Sequence, residues 1–205
     1  MNFSFKSISF TLLKLLIVVI SFGFINPILA EENLYDRRKE LVEQKEYQKA
    51  FKAFELAANA GNLDALTALG VMHIGGIGVE QNNTKGYQYI REAADMSDSK
   101  AQYTLGALYY LGAGVKKDYK KAFNWLNLAS EQNYIDAKYN LGVMYELGQG
   151  VDQNYEKAYE FYLFAARRDN LESQIRVADM YRDGIGTDMD LEKSSYWLKR
   201  IEDSK

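Results

Sequence analysis

Few residues of this chain have the type and spacing that covalent chemistry needs. Ser97 and Lys100 form a Ser-x-x-Lys arrangement. A lysine one helical turn away could take the serine proton and ready the oxygen for acyl transfer. The Ser-Asp-Asn and Lys-Thr-Gly segments that complete such sites are missing from the sequence. His73 is the only histidine. Without a convergent partner, one imidazole makes neither a metal site nor a catalytic triad. Gly76-Ile77-Gly78 has the outline of a phosphate-cradling loop, but that loop must follow a strand, and the pattern before Gly76 is helical. The 28 acidic residues are scattered as on solvated helical faces and single out no acid–base pair. Asn82-Asn83-Thr84 is a glycosylation sequon, relevant only in a eukaryotic host. No motif calls for a cofactor or a metal.

What carries these motifs is a repeat. Ala65, Ala101, Ala137 and Ser173 open four segments spaced 36 residues apart. Gly76, Gly112, Gly148 and Gly184 follow eleven residues after each opening, and Gly78, Gly114, Gly150 and Gly186 thirteen after. Lys85, Lys121, Lys157 and Lys193 keep the same register. His73 stands where the other segments carry Tyr109, Tyr145 and Tyr181, which reads as packing. Ser97 stands where they carry Asn133 and Asp169, at the turn between units. A fixed period of this size marks stacked supersecondary units. Within 101–136, Leu105, Leu108, Tyr109 and Gly112 line one helical face, and Ala122, Trp125, Leu126 and Ala129 line a second. The expected unit is therefore a helix of about ten residues, a glycine loop and a helix of about fourteen. Gly70, Gly106, Gly142 and Ala178 recur inside the first helix, where glycine costs about 1 kcal/mol against alanine. Their recurrence implies close helix–helix approach.

Composition agrees with export and uninterrupted helices. The chain has 205 residues, no cysteine and a single proline, Pro27. Lys6 and Lys14, an apolar run from Leu15 to Phe24, and Ala30 before Glu31-Glu32 have the order of a secretory signal peptide at residues 1–30. The alternative is an uncleaved anchor facing the periplasm, since Leu12 to Leu29 could nearly span a bilayer. Residues 31–205 carry 23 basic and 28 acidic side chains, a net charge of −5, which leaves no footprint for nucleic acid. After cleavage nothing remains to hold the chain stably in a membrane.

Ala137, Leu141-Gly142, Tyr145, Gly148-Gln149-Gly150-Val151, Asn154, Lys157-Ala158, Phe161 and Ala165-Ala166 together resemble the Sel1-like repeat, a relative of the tetratricopeptide repeat. The match covers residues 65–200 and weakens in the last unit, where Ala178, Thr187 and Ser194 depart from the pattern. Residues 33–64, with Leu34 to Glu43 as first helix, lack the glycine loop and look like a tetratricopeptide-type hairpin. The expected fold is all-α: an α-α superhelix of helix-loop-helix units 65–100, 101–136, 137–172 and 173–205 behind that hairpin. Positions that differ between otherwise matching units are free to carry specificity. The resemblance places those of the first helices on a concave face. They include Tyr103, Thr104, Tyr110, Tyr139, Asn140, Glu146, Arg176, Asp179 and Arg182. The strip grades from apolar through tyrosines to charge, which suits a peptide or protein partner. The expected function is an exported adaptor, periplasmic or secreted and not an enzyme. Arg176 or Arg182 would meet an acidic group of the partner. Cysteine-rich relatives linked to β-lactam binding suggest an alternative: a cell-wall protein that binds peptidoglycan or β-lactams, with weak hydrolase activity. A secreted virulence factor acting on host proteins is a third reading.

Overall fold

The computed structural model describes residues 46–203, and within them every regular element is an α-helix. The expected signal peptide and the Leu34 to Glu43 helix lie outside the described residues. The described residues fall into two compact units, 46–117 and 118–203. The division runs through the glycine loop of the 101–136 repeat. The first unit holds α1 (Tyr47–Asn59), α2 (Leu63–Gly75), α3 (Asn83–Asp95) and α4 (Ser99–Leu111). The second holds α5 (Tyr119–Glu131), α6 (Ile135–Leu147), α7 (Tyr155–Ala166), α8 (Leu171–Asp183) and α9 (Leu191–Asp203). Each unit is the all-α helical-repeat fold expected from the period.

Both helices of a repeat have 12 or 13 residues, not ten and fourteen. The first helix starts two residues before the repeat's opening residue, and in three of the four repeats an acidic or amide cap stands there. Asn62, Asp98 and Asn170 accept the backbone N–H of Ala65, Ala101 and Ser173, satisfying a donor that the first turn leaves free. The second helix stops early because Ser97, Asn133 and Asp169 turn the chain with φ of 62–64°. Asn and Asp tolerate that conformation better than most residues. Those three were the residues read as a turn in the sequence.

Gly150 shows why the loop needs its second glycine. Its φ is +76°, and a Cβ there would strike the backbone carbonyl of Tyr119, at the start of α5. Gly78 meets Tyr47, and Gly186 meets Tyr155, in the same way. Each of these loops therefore rests on the first turn of the second helix one repeat back.

The intrahelical glycines permit close approach. A Cβ on Gly142 would lie 2.7 Å from the ring carbons Cδ1 and Cε1 of Tyr162, and one on Gly70 2.6 Å from the Gly86 carbonyl oxygen. A second recurrent contact joins successive repeats. Phe51–His73, Tyr87–Tyr109, Phe123–Tyr145 and Tyr159–Tyr181 are all edge-to-face pairs, with ring centroids 5.4–6.2 Å apart. Such pairs add about 0.5–1.5 kcal/mol beyond the area they bury. Where both members are tyrosines their hydroxyls also bond, at 2.9 Å for Tyr87–Tyr109 and 2.5 Å for Tyr159–Tyr181. Burial first, then the Tyr181 hydrogen bond, pushes the Tyr159 phenol up to about 12.

Candidate functional site

In the second unit the variable positions converge on Tyr162. Its hydroxyl donates to Glu146 Oε2 at 2.7 Å, and Glu146 Oε1 accepts from the Arg176 guanidinium. Tyr139 packs against the Tyr162 ring with centroids 5.7 Å apart, and the Arg176 guanidinium lies 6.0 Å from the same ring. Three helices thus contribute to one cluster: Tyr139 and Glu146 from α6, Tyr162 from α7, and Arg176 from α8. Tyr162 is fully buried, while the Glu146 and Arg176 side chains keep 19% and 39% of their exposure. Solvent therefore screens the ion pair, which contributes no more than about 1 kcal/mol. Burial, and then the charge of Glu172, raises the Tyr139 pKa, so the phenol keeps its proton at neutral pH and can donate.

Further along α8, Asp179 accepts from Arg182 at 2.6 Å, and Asp183 takes two more hydrogen bonds from the same guanidinium at 2.8 and 2.9 Å. The sequence reading pairs Arg176 or Arg182 with an acidic group of a partner. Each already meets acids of its own chain, because carboxylates on the same or the preceding first helix lie within reach. Asn140, on α6, is buried. In the first unit, α4 presents Tyr103 and Tyr110 half-buried. Thr104 is buried, and its hydroxyl donates to the Lys100 carbonyl at 2.7 Å. Thr104 and Asn140 therefore belong to the interior of their units and offer little to a ligand.

Sequence reasoning did not single out Tyr162. Its signal was an aromatic residue at a position where other repeats carry the aliphatic Ile90 and Leu126. The Glu146–Arg176 pair was also readable in principle. It joins opposite charges at two of the variable positions of successive repeats.

The other chemical candidates resolve into structural roles. Lys100 is buried, and its amine is 2.9 Å from Asp64 Oδ1, tying α4 to α2. Ser97 forms the turn before α4. Asn82, of the sequon, caps α3 by accepting the Lys85 N–H. His73 is 3% exposed, between the rings of Phe51 and Tyr89, with neither ring nitrogen hydrogen-bonded. Burial, and secondly the nearby Lys85, lowers its pKa and keeps it neutral. Among the described residues no group of three or more His, Asp or Glu side chains could hold a metal, and no helix is long and apolar enough to cross a membrane.

The Sel1 repeat family model matches residues 29–62, 63–98, 99–134, 135–170 and 171–201. The chain belongs to the Sel1 repeat family. The first match falls on the segment that the sequence likened to a tetratricopeptide-type hairpin. Sel1 repeat proteins mostly act as non-enzymatic scaffolds for protein–protein interaction. No match was found among curated proteins. Among solved structures, the chain is 31% identical, with a TM-score of 0.72, to a protective antigen present in uropathogenic Escherichia coli strains, over 77% of this chain and 34% of that one. It is 29% identical, with a TM-score of 0.68, to a Sel1 repeat protein from Oxalobacter formigenes, over 77% of this chain and 62% of that one. It thus spans a third of the first relative and under two thirds of the second. A putative Sel1 repeat protein from Klebsiella pneumoniae shares the fold at 20% identity, with a TM-score of 0.53, over 82% of this chain and 84% of that one.

Proposed function

We propose that the protein is an exported adaptor that binds a peptide or protein partner through the faces that the first helices present within each unit. The observation that carries this reading is the Tyr139–Tyr162–Glu146–Arg176 cluster of the second unit. It is built from positions where the repeats differ, so it is not part of the common scaffold, and it sets a half-buried phenol and a partly exposed ion pair on one face. Asp179 and Arg182 extend that face along α8. In the first unit, Tyr103 and Tyr110 of α4 serve the same role. Tyrosine and arginine are frequent among the few residues that dominate binding energy. A partner must compete with the internal pairs of Arg176 and Arg182, which favours one bringing both charge signs over a purely acidic peptide. The leader-like residues 1–30 support export to the periplasm or beyond, as does the relative described as a protective antigen.

The test is affinity capture from the native envelope with the protein as bait. Tyr139→Ala combined with Arg182→Ala should weaken capture by about 2 kcal/mol or more while the helical signal is unchanged. Lys120→Ala with Glu156→Ala, on exposed positions of the second helices, is the control. Capture lost in the control and kept in the first variant would place the partner on the opposite side.

A further inference from the structure

Arg176 and Arg182 are matched by acids of this chain, but two other cations of the second unit are not. Lys138, on α6, sets its amine 4.1 Å from the centroid of the Phe164 ring, and the Arg168 guanidinium carbon lies 3.6 Å from the same centroid. The two charges are therefore within about 8 Å of each other. The face of an aromatic ring attracts a cation, but the ring carries no net charge to offset the pair. Among the described residues neither side chain forms a salt bridge. Asp169, next to Arg168 in the sequence, accepts from Arg200 instead. Burial, and then the charge of Arg168, lowers the Lys138 pKa, and no acid opposes them.

The arrangement is particular to this repeat. Gln102 and Gln174 take the place of Lys138 in the repeats before and after. Each donates to a carbonyl at the end of the preceding helix, Ala94 at 3.3 Å and Ala166 at 3.2 Å. Lys138 gives up that tie and lies half-buried against the ring. The preceding repeat carries Leu128 in place of Phe164 and Gln132 in place of Arg168, so stacking the repeats requires neither the ring nor the cations. The Arg168 guanidinium donates once, to the Phe164 carbonyl at 3.3 Å, which leaves most of its five donors for a ligand. An arginine fork beside a lysine point charge suits an oxyanion. Two uncompensated positive charges match a dianion better than a single carboxylate. The edge of an aromatic ring is its positive part, so an anion at the rim of Phe164 meets no repulsion there. We propose that Lys138, Phe164 and Arg168 form a binding site for a phosphate group, free or as a monoester, whose oxygens sit at the ring edge between the two cations.

Lys138→Gln and Arg168→Gln each install the residue that a neighbouring repeat already carries at that place, so both should keep the fold and the thermal melt. Amide chemical shifts of the full chain are followed by NMR as inorganic phosphate or methyl phosphate is added at constant ionic strength, at about pH 7.5, where both are mostly dianions. Saturable shifts should appear around Phe164 and Arg168, with half-saturation on the order of 1 mM. Acetate should bind at least about tenfold more weakly, and each glutamine variant should weaken phosphate binding at least about fivefold. Arg167→Gln removes an exposed charge beside the site and should change binding less than about twofold. Tighter binding of methyl phosphate would identify an ester as the source; equal or tighter binding of inorganic phosphate would identify the free anion. The proposal is overturned by shifts that stay linear in concentration, by acetate binding as tightly as phosphate, by unchanged binding in the two glutamine variants, or by an equal loss in Arg167→Gln. The test uses no protein partner, so this site and the adaptor reading can fail separately.

Discussion

Replacing Gly142 with valine tests whether the helices of a repeat are held together by close approach. A first side-chain carbon on Gly142 would sit 2.7 Å from two carbons of the Tyr162 ring. Carbon atoms rest at about 3.5 Å or more, so the ring must retreat by about 0.8 Å. It has nowhere to go at no cost, because Tyr162 is fully buried and its hydroxyl is held 2.7 Å from Glu146. Overpacking of this kind costs about 1–3 kcal/mol, and valine recovers only a fraction of the helix propensity that glycine lacks. For a chain of this length the melting midpoint should fall by about 3–10 °C. Thermal melts followed by circular dichroism read this directly. The same experiment carries an internal check. Tyr162→Leu, which places at this position the residue found at 126, vacates the space the valine needs. The double variant should therefore lose less than the two single variants added together. An unchanged melt for Gly142→Val, or strict additivity with Tyr162→Leu, would refute the close-approach reasoning.

Two further outcomes follow from the packing of the first unit and the loop of the second. His73 has a folded-state pKa lowered by burial, with Lys85 of α3 opposing its charge, Glu55 of α1 favouring it, and the Glu80 backbone nearby. The unfolded chain then binds the extra proton, so stability rises with pH and is lost as pH falls below the unfolded value near 6.5. His73→Tyr should keep the fold, as Tyr145 does against Phe123, and should flatten the pH dependence of urea unfolding between pH 5 and about 7 relative to the parent. A parallel pH profile in both proteins would contradict a buried neutral imidazole. Gly150→Ala should destabilise the second unit by about 1–3 kcal/mol, since it forces a side chain into positive φ and into the Tyr119 carbonyl. Hydrogen exchange should locate the loosening at the start of α5, and unchanged protection there would count against the contact.

The repeat, its helices and its loops were legible because each is enforced by residue types that recur. Gly112 and Gly114 recur because the backbone needs them, and His73 reads as packing because its place is known from three tyrosines. Helix ends were less legible. The caps Asn62, Asp98 and Asn170 lie before the opening residues, and the 137–172 repeat carries Tyr134 at that place, with no side-chain cap, so the capping signal is not uniform. The face was legible as a set of variable positions but not as an arrangement. The Glu146–Arg176 pair depends on two side chains from different repeats reaching across Tyr162, and no local pattern in either helix announces that. The burial of Thr104 and Asn140 has the same origin. They share their repeat position with Arg176, whose length lets it leave the interior that shorter side chains occupy.

The seat of Gly78, Gly150 and Gly186 on a backbone carbonyl has an evolutionary corollary. At these three loops the joint between neighbouring modules is made by main chain and hydrogen atoms, beside the ring pairs that also join successive repeats. Residues on the helix faces outside those ring pairs can then drift without loosening the joint. A gained or lost stretch is accommodated cleanly only when it is one whole module of 36 residues, since any other length would bring a side chain to the seat. Duplication in complete modules is thus the change in length this architecture admits most easily, and the variable faces multiply with it.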